Sequence, residues 1–315
     1  MYKHSVKNIN DILLSLNLLD YKNKNKYIKT IYAISNNVEN NYNVYKIKKR
    51  NGTFRTICEP NKILKHIQRK ILSNILEDKY ISEYAKAYRK NLSIKDNAIP
   101  HLNNKMILKL DIENFFDNID FINIYKSCFD IFPKSIGILL TVLCTYYGSL
   151  PQGAPTSAYI SNLVMKDFDY EIGNYCKENN ITYTRYSDDM TFSGDFNPSK
   201  IISNVRKLLY KLNLKINNKK IKVIYNYYSQ NVTGIVVNEK IQVSNKYRKK
   251  IRQELYYINK YGIESHIKRK NIINKKKYIN SLYGKVIYVL QINQFDKDFI
   301  NYKMIIKNMI VSREK

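Results

Sequence analysis

Apolar residues after Pro60 fall at Ile63, Leu64, Ile67, Ile71, Leu72, Ile75 and Leu76. Spacings of three and four put them on one side of a helix. The same rule predicts helices over 112–130, 134–147 and 156–178, and an amphipathic one in SKIISNVRKLLYKLNL (Ser199–Leu214). Other stretches read as strands. KMILKLD (Lys105–Asp111) is an apolar run short enough for a buried strand, with a carboxylate at its end. Residues 181–193 read as a hairpin, and IKVIYNYYSQNVTGIVVNEKIQV (Ile221–Val243) as short strands. VYKIKKRNGTFRTICEP (Val44–Pro60) has β-rich flanks around Asn51-Gly52. That dipeptide predicts a two-residue type I′ turn, because both central positions need positive φ. Residues 1–43 read as polar and helical, and the chain from Ser244 as helical and strongly basic. Interleaved strands and helices of this kind predict an α+β fold, a sheet with helices on one face.

Length and charge narrow the function. The 315 residues suffice for a sizeable core and two or three subdomains. A net charge of +28, from 54 basic and 26 acidic residues, points to a polyanionic partner, most simply nucleic acid. AT-rich codons alone enrich Lys and Tyr, but they do not explain the scarcity of Asp and Glu. The 29 tyrosines offer stacking surfaces for bases, although most are expected to pack in or near the core. Cys58, Cys128, Cys144 and Cys176 form no CxxC, which argues against a zinc site and a disulfide framework and for a reducing compartment. The longest apolar run, Ile136–Tyr147, is too short to span a bilayer. INDILLSLNLLDY carries Asp11 and Asn17 where a signal peptide would be apolar. A cytoplasmic protein without membrane association is expected.

YTRYSDDMTFSG (Tyr183–Gly194) sets two carboxylates side by side between two strands. If the Asp111 strand is a neighbour, three carboxylates converge at one sheet edge, and their repulsion needs cations to offset it. Oxygen ligands suit Mg²⁺. Two such ions about 4 Å apart clamp the attacking hydroxyl and the leaving phosphate of an in-line displacement. Judged alone, Asp188-Asp189 is as well a surface turn and Asp111 a helix cap. The flanking segments tilt the balance. GSLPQGAPTSAYISNLV (Gly148–Val164) is a Gly- and Pro-containing loop before a helix, open to close backbone approach by a ligand. Phe116 stands five residues past Asp111, where an aromatic would lie under a nucleotide sugar and block a 2′-hydroxyl. Alone, Phe115 and Phe116 would be core residues.

These segments, in this order, resemble a reverse transcriptase. LKLDIENFFDNID is similar to polymerase motif A, LPQGAPTSAYISNLV to motif B, YTRYSDDMTFSG to the YxDD motif C and LNLKINNKKIKVI to motif D. The Val44–Pro60 hairpin resembles the fingers element that closes over the triphosphate. Two signatures point to the retron group: NAIPH (Asn97–His101) matches NAxxH, and Val232–Gly234 matches the VTG triplet after motif D. Ser187 stands where retron enzymes commonly have Ala, and Thr156–Ala158 where motif B more often reads SSP. Neither departure displaces Gln152 or the carboxylates.

The resemblance implies a right-hand α+β fold: an N-terminal helical segment (1–43), fingers (44–104), a palm of antiparallel sheet and helices with part of the fingers interleaved (105–243), and a helical thumb and RNA-recognition region (244–315). Asp111, Asp188 and Asp189 would hold two Mg²⁺ ions, replaceable by Mn²⁺, with the Ile112 carbonyl assisting. Arg55, with Lys48 or Lys49, would contact the dNTP triphosphate, Phe116 would gate its sugar and Gln152 would line its pocket. Lys220 would protonate the leaving pyrophosphate, with Lys219 as the rival. Asn97, His101, Val232, Thr233 and Gly234 would serve RNA recognition, though a lone His is more often a structural brace. In the tail, Tyr247, Tyr256, Tyr257, Tyr261 and Tyr278 would stack on unpaired bases. The implied activity is RNA-directed DNA synthesis on a cognate non-coding RNA, started at a 2′-hydroxyl and yielding branched msDNA. The setting would be anti-phage defence with a separately encoded effector, and no maturase, endonuclease, RNase H or integrase region is expected. NAxxH and VTG argue against a group II intron or abortive-infection enzyme. The intact carboxylates argue against a non-catalytic RNA-binding scaffold.

Overall fold

The computed structural model describes residues 9–20, 22–49 and 52–311. They form two compact units. The first comprises the chain up to Asn91, Leu108–Phe192 and Phe196–Val223. The second comprises Leu92–Ile107, Ser193–Asp195 and the chain from Ile224 onward.

In the first unit, helices Ile9–Ser15 and Lys24–Asn36 bury Leu13, Tyr27 and Ile31 in the same core as Leu64, Ile67, Leu110, Leu140 and Phe192. These two helices of the N-terminal segment are therefore built into this core. Strands β1 (Tyr42–Lys48) and β2 (Phe54–Pro60) form an antiparallel ribbon with Lys48 opposite Phe54 and Ile47 opposite Arg55. A two-residue Asn51-Gly52 turn would have set Lys48 opposite Arg55. Instead the Lys49 amide donates to the Thr53 carbonyl (2.7 Å), the Gly52 amide donates to the Lys49 carbonyl (3.1 Å), and Gly52 has φ +86. This is the three-residue connection that ends on a left-handed glycine. Arg50 and Asn51 themselves lie outside the described residues.

Helix Lys62–Ile71 starts where Asn61 Oδ1 accepts from the Ile63 and Leu64 amides, the side-chain cap a helix start needs. Strands β3 (Met106–Asp111), β4 (Thr182–Tyr186), β5 (Asp189–Gly194) and β6 (Lys222–Tyr225) make a sheet in the order β4-β5-β3-β6. The sequence predicts one helix over 112–130, but the chain forms short turns, Phe115–Asn118 and Phe121–Ile124, before a wider turn at Tyr125–Phe129. Two bonds break it: the Leu150 amide takes the Ile119 carbonyl (3.2 Å), and Asp120 caps the next turn through the Asn123 amide (2.8 Å). The 156–178 helix likewise divides into Ser157–Val164 and Lys166–Glu178. Cys58, Cys128, Cys144 and Cys176 are all free thiols buried in this unit.

In the second unit, β7 (Asn231–Val232), β8 (Ile235–Val236) and β9 (Gln242–Val243) form an antiparallel sheet. The predicted helical tail follows as Asn245–Tyr261, Ile263–Arg269, Lys275–Ile292 and Lys297–Val311. Residues 92–107 belong here, because Ala98 and Ile107 share the core of Val232, Ile251, Leu282 and Phe299. The compact units thus cut across the linear boundaries expected at 43, 104 and 243. Among the described residues no helix is long and apolar enough to cross a membrane.

Candidate active site

β4 and β5 are joined by Ser187 and Asp188. Ser187 has φ +61, uncommon for a residue with a Cβ. The conformation is held from beneath. Arg185, fully buried, donates from Nη1 to the Ser187 carbonyl (2.9 Å) and makes a two-pronged pair with buried Asp169 (Nε–Oδ1 2.8 Å, Nη2–Oδ2 2.7 Å). Tyr183 Oη donates to the same Asp169 oxygen as Nε (2.8 Å). Beside the turn, β3 ends at Asp111, and the next amide, Ile112 N, donates to the Asp188 carbonyl (3.1 Å). That bond brings Asp111, the Ile112 peptide and the Asp188-Asp189 pair together at one end of the two central strands.

Asp111 is buried, and Asp188 and Asp189 are half-buried. The Asn217 amide donates to the Asp111 carbonyl (2.8 Å), and a tight turn at Asn217 then delivers Lys220. Lys220 Nζ lies 2.8 and 2.7 Å from the two Asp111 carboxylate oxygens. Of the two lysines Lys219 and Lys220, it is Lys220 whose ammonium contacts this carboxylate. Burial, reinforced by the charge of Asp188, pushes the Asp111 carboxyl above its usual range even though Lys220 opposes the shift. Asp189 moves the same way, through burial and then Asp188. Burial acts to lower the Lys220 ammonium, but Asp111, joined by Asp188 and Asp189, holds it above its ordinary value.

One ammonium therefore faces three mutually repelling carboxylates. Among the described residues no three His, Cys, Asp or Glu side chains are gathered tightly enough to close on a metal ion by themselves. The donor chemistry still fits a hard divalent cation: every side-chain donor is a carboxylate oxygen, the net local charge is negative, and Lys220 already sits as a cation on Asp111.

Phe116 is half-buried, edge-on to buried Phe115 (centroids 5.5 Å, 66°) and to Tyr88 (6.5 Å, 66°). Gln152 reaches toward Asp117 (3.3 Å) and accepts from the Cys58 amide through its carbonyl (2.8 Å). Gly153, at φ +129, passes so close to β2 that a Cβ would meet the Cys58 carbonyl at 3.0 Å. The motif B loop is thereby fastened to the hairpin. On the ribbon, cross-strand partners share a face. Arg55 shares the face of Ile47, and Lys48 that of Phe54, so Arg55 and Lys48 point to opposite faces. By alternation Lys49 is on the Arg55 side.

The second unit brings the two short signatures into contact. Asn97 Nδ2 lies 3.5 Å from Thr233 Oγ1, which donates to the Ile94 carbonyl (3.2 Å). His101 is fully buried with Nδ1 2.7 Å from Ser193 Oγ. Asn97, His101 and Val232 are interior residues that brace this unit and do not present themselves to an RNA; Gly234 is exposed and Thr233 partly so. Among the tail tyrosines, Tyr278 is engaged with Glu254 and His266, and Tyr247 packs edge-on to Tyr288. Tyr256 and Tyr261 are exposed, with Lys260 over both rings (5.7 and 5.2 Å), and Tyr257 lies under Arg269 (5.2 Å).

Three residues escape the sequence reading: Arg185, Asp169 and Tyr88. Only Arg185 leaves a trace there, a charge inside an otherwise uncharged strand.

Comparison with known proteins gives the site its context. The family described as reverse transcriptase (RNA-dependent DNA polymerase) matches residues 47–256. The retron Ec86 reverse transcriptase of Escherichia coli is 30% identical over 239 residues, 73% of this chain and 74% of the relative. The retron Ec83 reverse transcriptase of the same species is 34% identical over 245 residues, 72% and 78% of the two chains. The retron Mx65 reverse transcriptase of Myxococcus xanthus is 29% identical over 238 residues, 68% and 55%. By that match and these relatives the chain belongs to the retron reverse transcriptases, RNA-directed DNA polymerases that depend on divalent cations.

Proposed function

We propose that the chain copies a cognate non-coding RNA into DNA, starting from a 2′-hydroxyl of that RNA and leaving a branched RNA–DNA molecule, the msDNA. The observation that carries the chemistry is the convergence of Asp111, Asp188 and Asp189 at one end of the central strands with Lys220 on Asp111. In this reading the three carboxylates and the Ile112 carbonyl hold two Mg²⁺ ions, or Mn²⁺ in their place. Bound there, such ions would neutralise the phosphates and lower the pKa of the attacking hydroxyl. Lys220, released from Asp111, turns to the leaving pyrophosphate and supplies its proton. Arg55 and Lys49, on one face of the ribbon, meet the dNTP triphosphate, and Lys48 lies on the other face. Gln152 lines the nucleotide pocket.

Phe116 gates the sugar. Phe116→Val removes the ring and is expected to lower the dATP-over-ATP ratio of kcat/KM on the order of tenfold, the scale on which a pocket rejects an added group. An active variant with an unchanged ratio would make Phe116 a core residue only.

The retron-specific part rests on the relatives and on the contact between Asn97 and Thr233 within the two signatures. We place the protein in the cytoplasm, with a separately encoded effector in anti-phage defence. Recognition of the RNA falls to the exposed tail tyrosines and the basic residues among them, because unpaired bases stack on aromatic rings while cations meet phosphates. Co-expression with the cognate RNA is expected to give DNA joined to RNA through a 2′,5′ linkage, so debranching enzyme shifts its gel mobility. A free 5′ end on the first product recovered from a nuclease-deficient host would overturn the priming reading.

A further inference from the structure

Tyr88 occupies a position that the polymerase motifs do not define. Its side chain is nearly half exposed (46%), yet it is pinned at both ends. The hydroxyl is hydrogen bonded to Ser187 Oγ (3.1 Å), one residue before the Asp188-Asp189 pair. The ring lies edge-on to Phe116. Its backbone is in the left-handed region (φ +60), as is that of Ser187 (φ +61). Both strained residues are over-determined by their neighbours, the condition under which such conformations persist. The Lys86 amide donates to the Arg185 carbonyl (2.8 Å), and the Arg185 amide donates to the Tyr84 carbonyl (2.8 Å). Asn162 Nδ2 donates to the Ala87 carbonyl (2.9 Å), and Arg89 folds back onto the Ser82 and Ala85 carbonyls (3.0 and 3.3 Å).

Tyr88 also borders a cleft of about 470 Å³, walled by Leu72, Tyr80, Pro155 and Ala158. That space gives the ring somewhere to go if its hydroxyl is released. A steric gate discriminates only as well as it is held in place, because a ring that retreats by an ångström admits a 2′-hydroxyl. Phe115 supports Phe116 from the core, and Tyr88 supports it from the exposed side.

We propose that Tyr88 is a specificity-determining positioning residue: held by Ser187, it backs Phe116 and links sugar selection to the carboxylate turn. Ser187, in place of the more common Ala of motif C, then has a task of its own. It keeps Tyr88 from swinging into the cleft. The inference rests on the reading of Phe116 as the sugar gate.

The test is single-nucleotide extension with dATP and with ATP, using native protein, Tyr88→Phe, Ser187→Ala, the double variant, Tyr88→Ala and Phe116→Val. Tyr88→Phe and Ser187→Ala each remove the same hydrogen bond. Each is expected to lower the dATP-over-ATP ratio of kcat/KM about fivefold, the equivalent of one neutral hydrogen bond. The double variant should be no worse than either single, because the two act through one bond. Tyr88→Ala, which removes the ring as well, should approach the Phe116→Val ratio. Equal losses for both nucleotides, with an unchanged ratio, would make Tyr88 merely structural and overturn the inference, as would multiplicative effects in the double variant. If Phe116→Val shifts the ratio and the Tyr88 variants do not, only this inference fails. If Phe116→Val leaves the ratio unchanged, the gate reading fails and takes the inference with it.

Discussion

Asp188→Asn is expected to abolish primer extension and to leave the fold intact. The two halves of this result have separate causes. Asp188 contributes to the structure through its backbone: its carbonyl accepts the Ile112 amide, and asparagine keeps that bond. Its side chain is half-buried and adds negative charge to Asp111 and Asp189, both of which it pushes toward protonation. Removing that charge relieves repulsion in the free protein, so in metal-free buffer the thermal midpoint should stay level or rise. Catalysis responds in the opposite sense. The charge that burdens the free site is the charge that would anchor a cation and, through it, the phosphates. Losing about 4 kcal/mol of transition-state stabilisation corresponds to roughly 10³-fold in rate. The measurement is single-nucleotide extension on an RNA template alongside a melting curve. A folded variant extending within tenfold of the native rate would sink the assignment of Asp188 as a ligand.

Asp169→Ala is expected to act chiefly on stability. Arg185 is fully buried, and Asp169 supplies both of its carboxylate contacts as well as the partner of Tyr183. Truncating Asp169 strands a guanidinium in the interior, a change that costs about 3–5 kcal/mol when a buried pair is broken. For a chain of this size the thermal midpoint should fall by roughly 10 °C. Replacing both partners with apolar residues often recovers such a loss, but here the Tyr183 hydroxyl and the Ser187 carbonyl would each lose a partner. The Asp169→Leu, Arg185→Met double variant should therefore remain well below native stability. A midpoint within two degrees of native for Asp169→Ala would show that the pair is dispensable.

Part of the site was legible in the sequence and part was not. Asp111 and the Asp188-Asp189 pair were legible because strand alternation and turn position are local properties, and carboxylates at the end of a buried strand are chemically unusual. The amphipathic helix after Pro60 was legible for the same reason, from the spacing of its apolar residues. Asp169 was not, since nothing in its helix distinguishes an inward carboxylate until Arg185 is placed beside it. Tyr88 needs two partners, Phe116 and Ser187, that are 28 and 99 residues away along the chain. The hairpin was legible as a hairpin, but Asn51-Gly52 misled on its register. A glycine can serve a two-residue turn or close a three-residue one, and a shift of one residue moves a side chain to the other face. That shift separates Lys48 from Arg55. The helix over 112–130 was overruled by the Leu150 and Asp120 bonds, which periodicity cannot foresee.

The four buried cysteines have a practical consequence. Burial holds the Cys144 and Cys176 thiols up at about 12, and it raises Cys58 and Cys128 as well. Since the thiolate is the reacting species, the native thiols are shielded twice, by packing and by protonation. A maleimide dye offered to the folded protein therefore meets a silent background. A single cysteine introduced on the exposed ribbon or beside Tyr261 can be labelled selectively without first removing the native four. Their slow reaction with the same reagent then serves as a built-in clock for transient opening of the first unit.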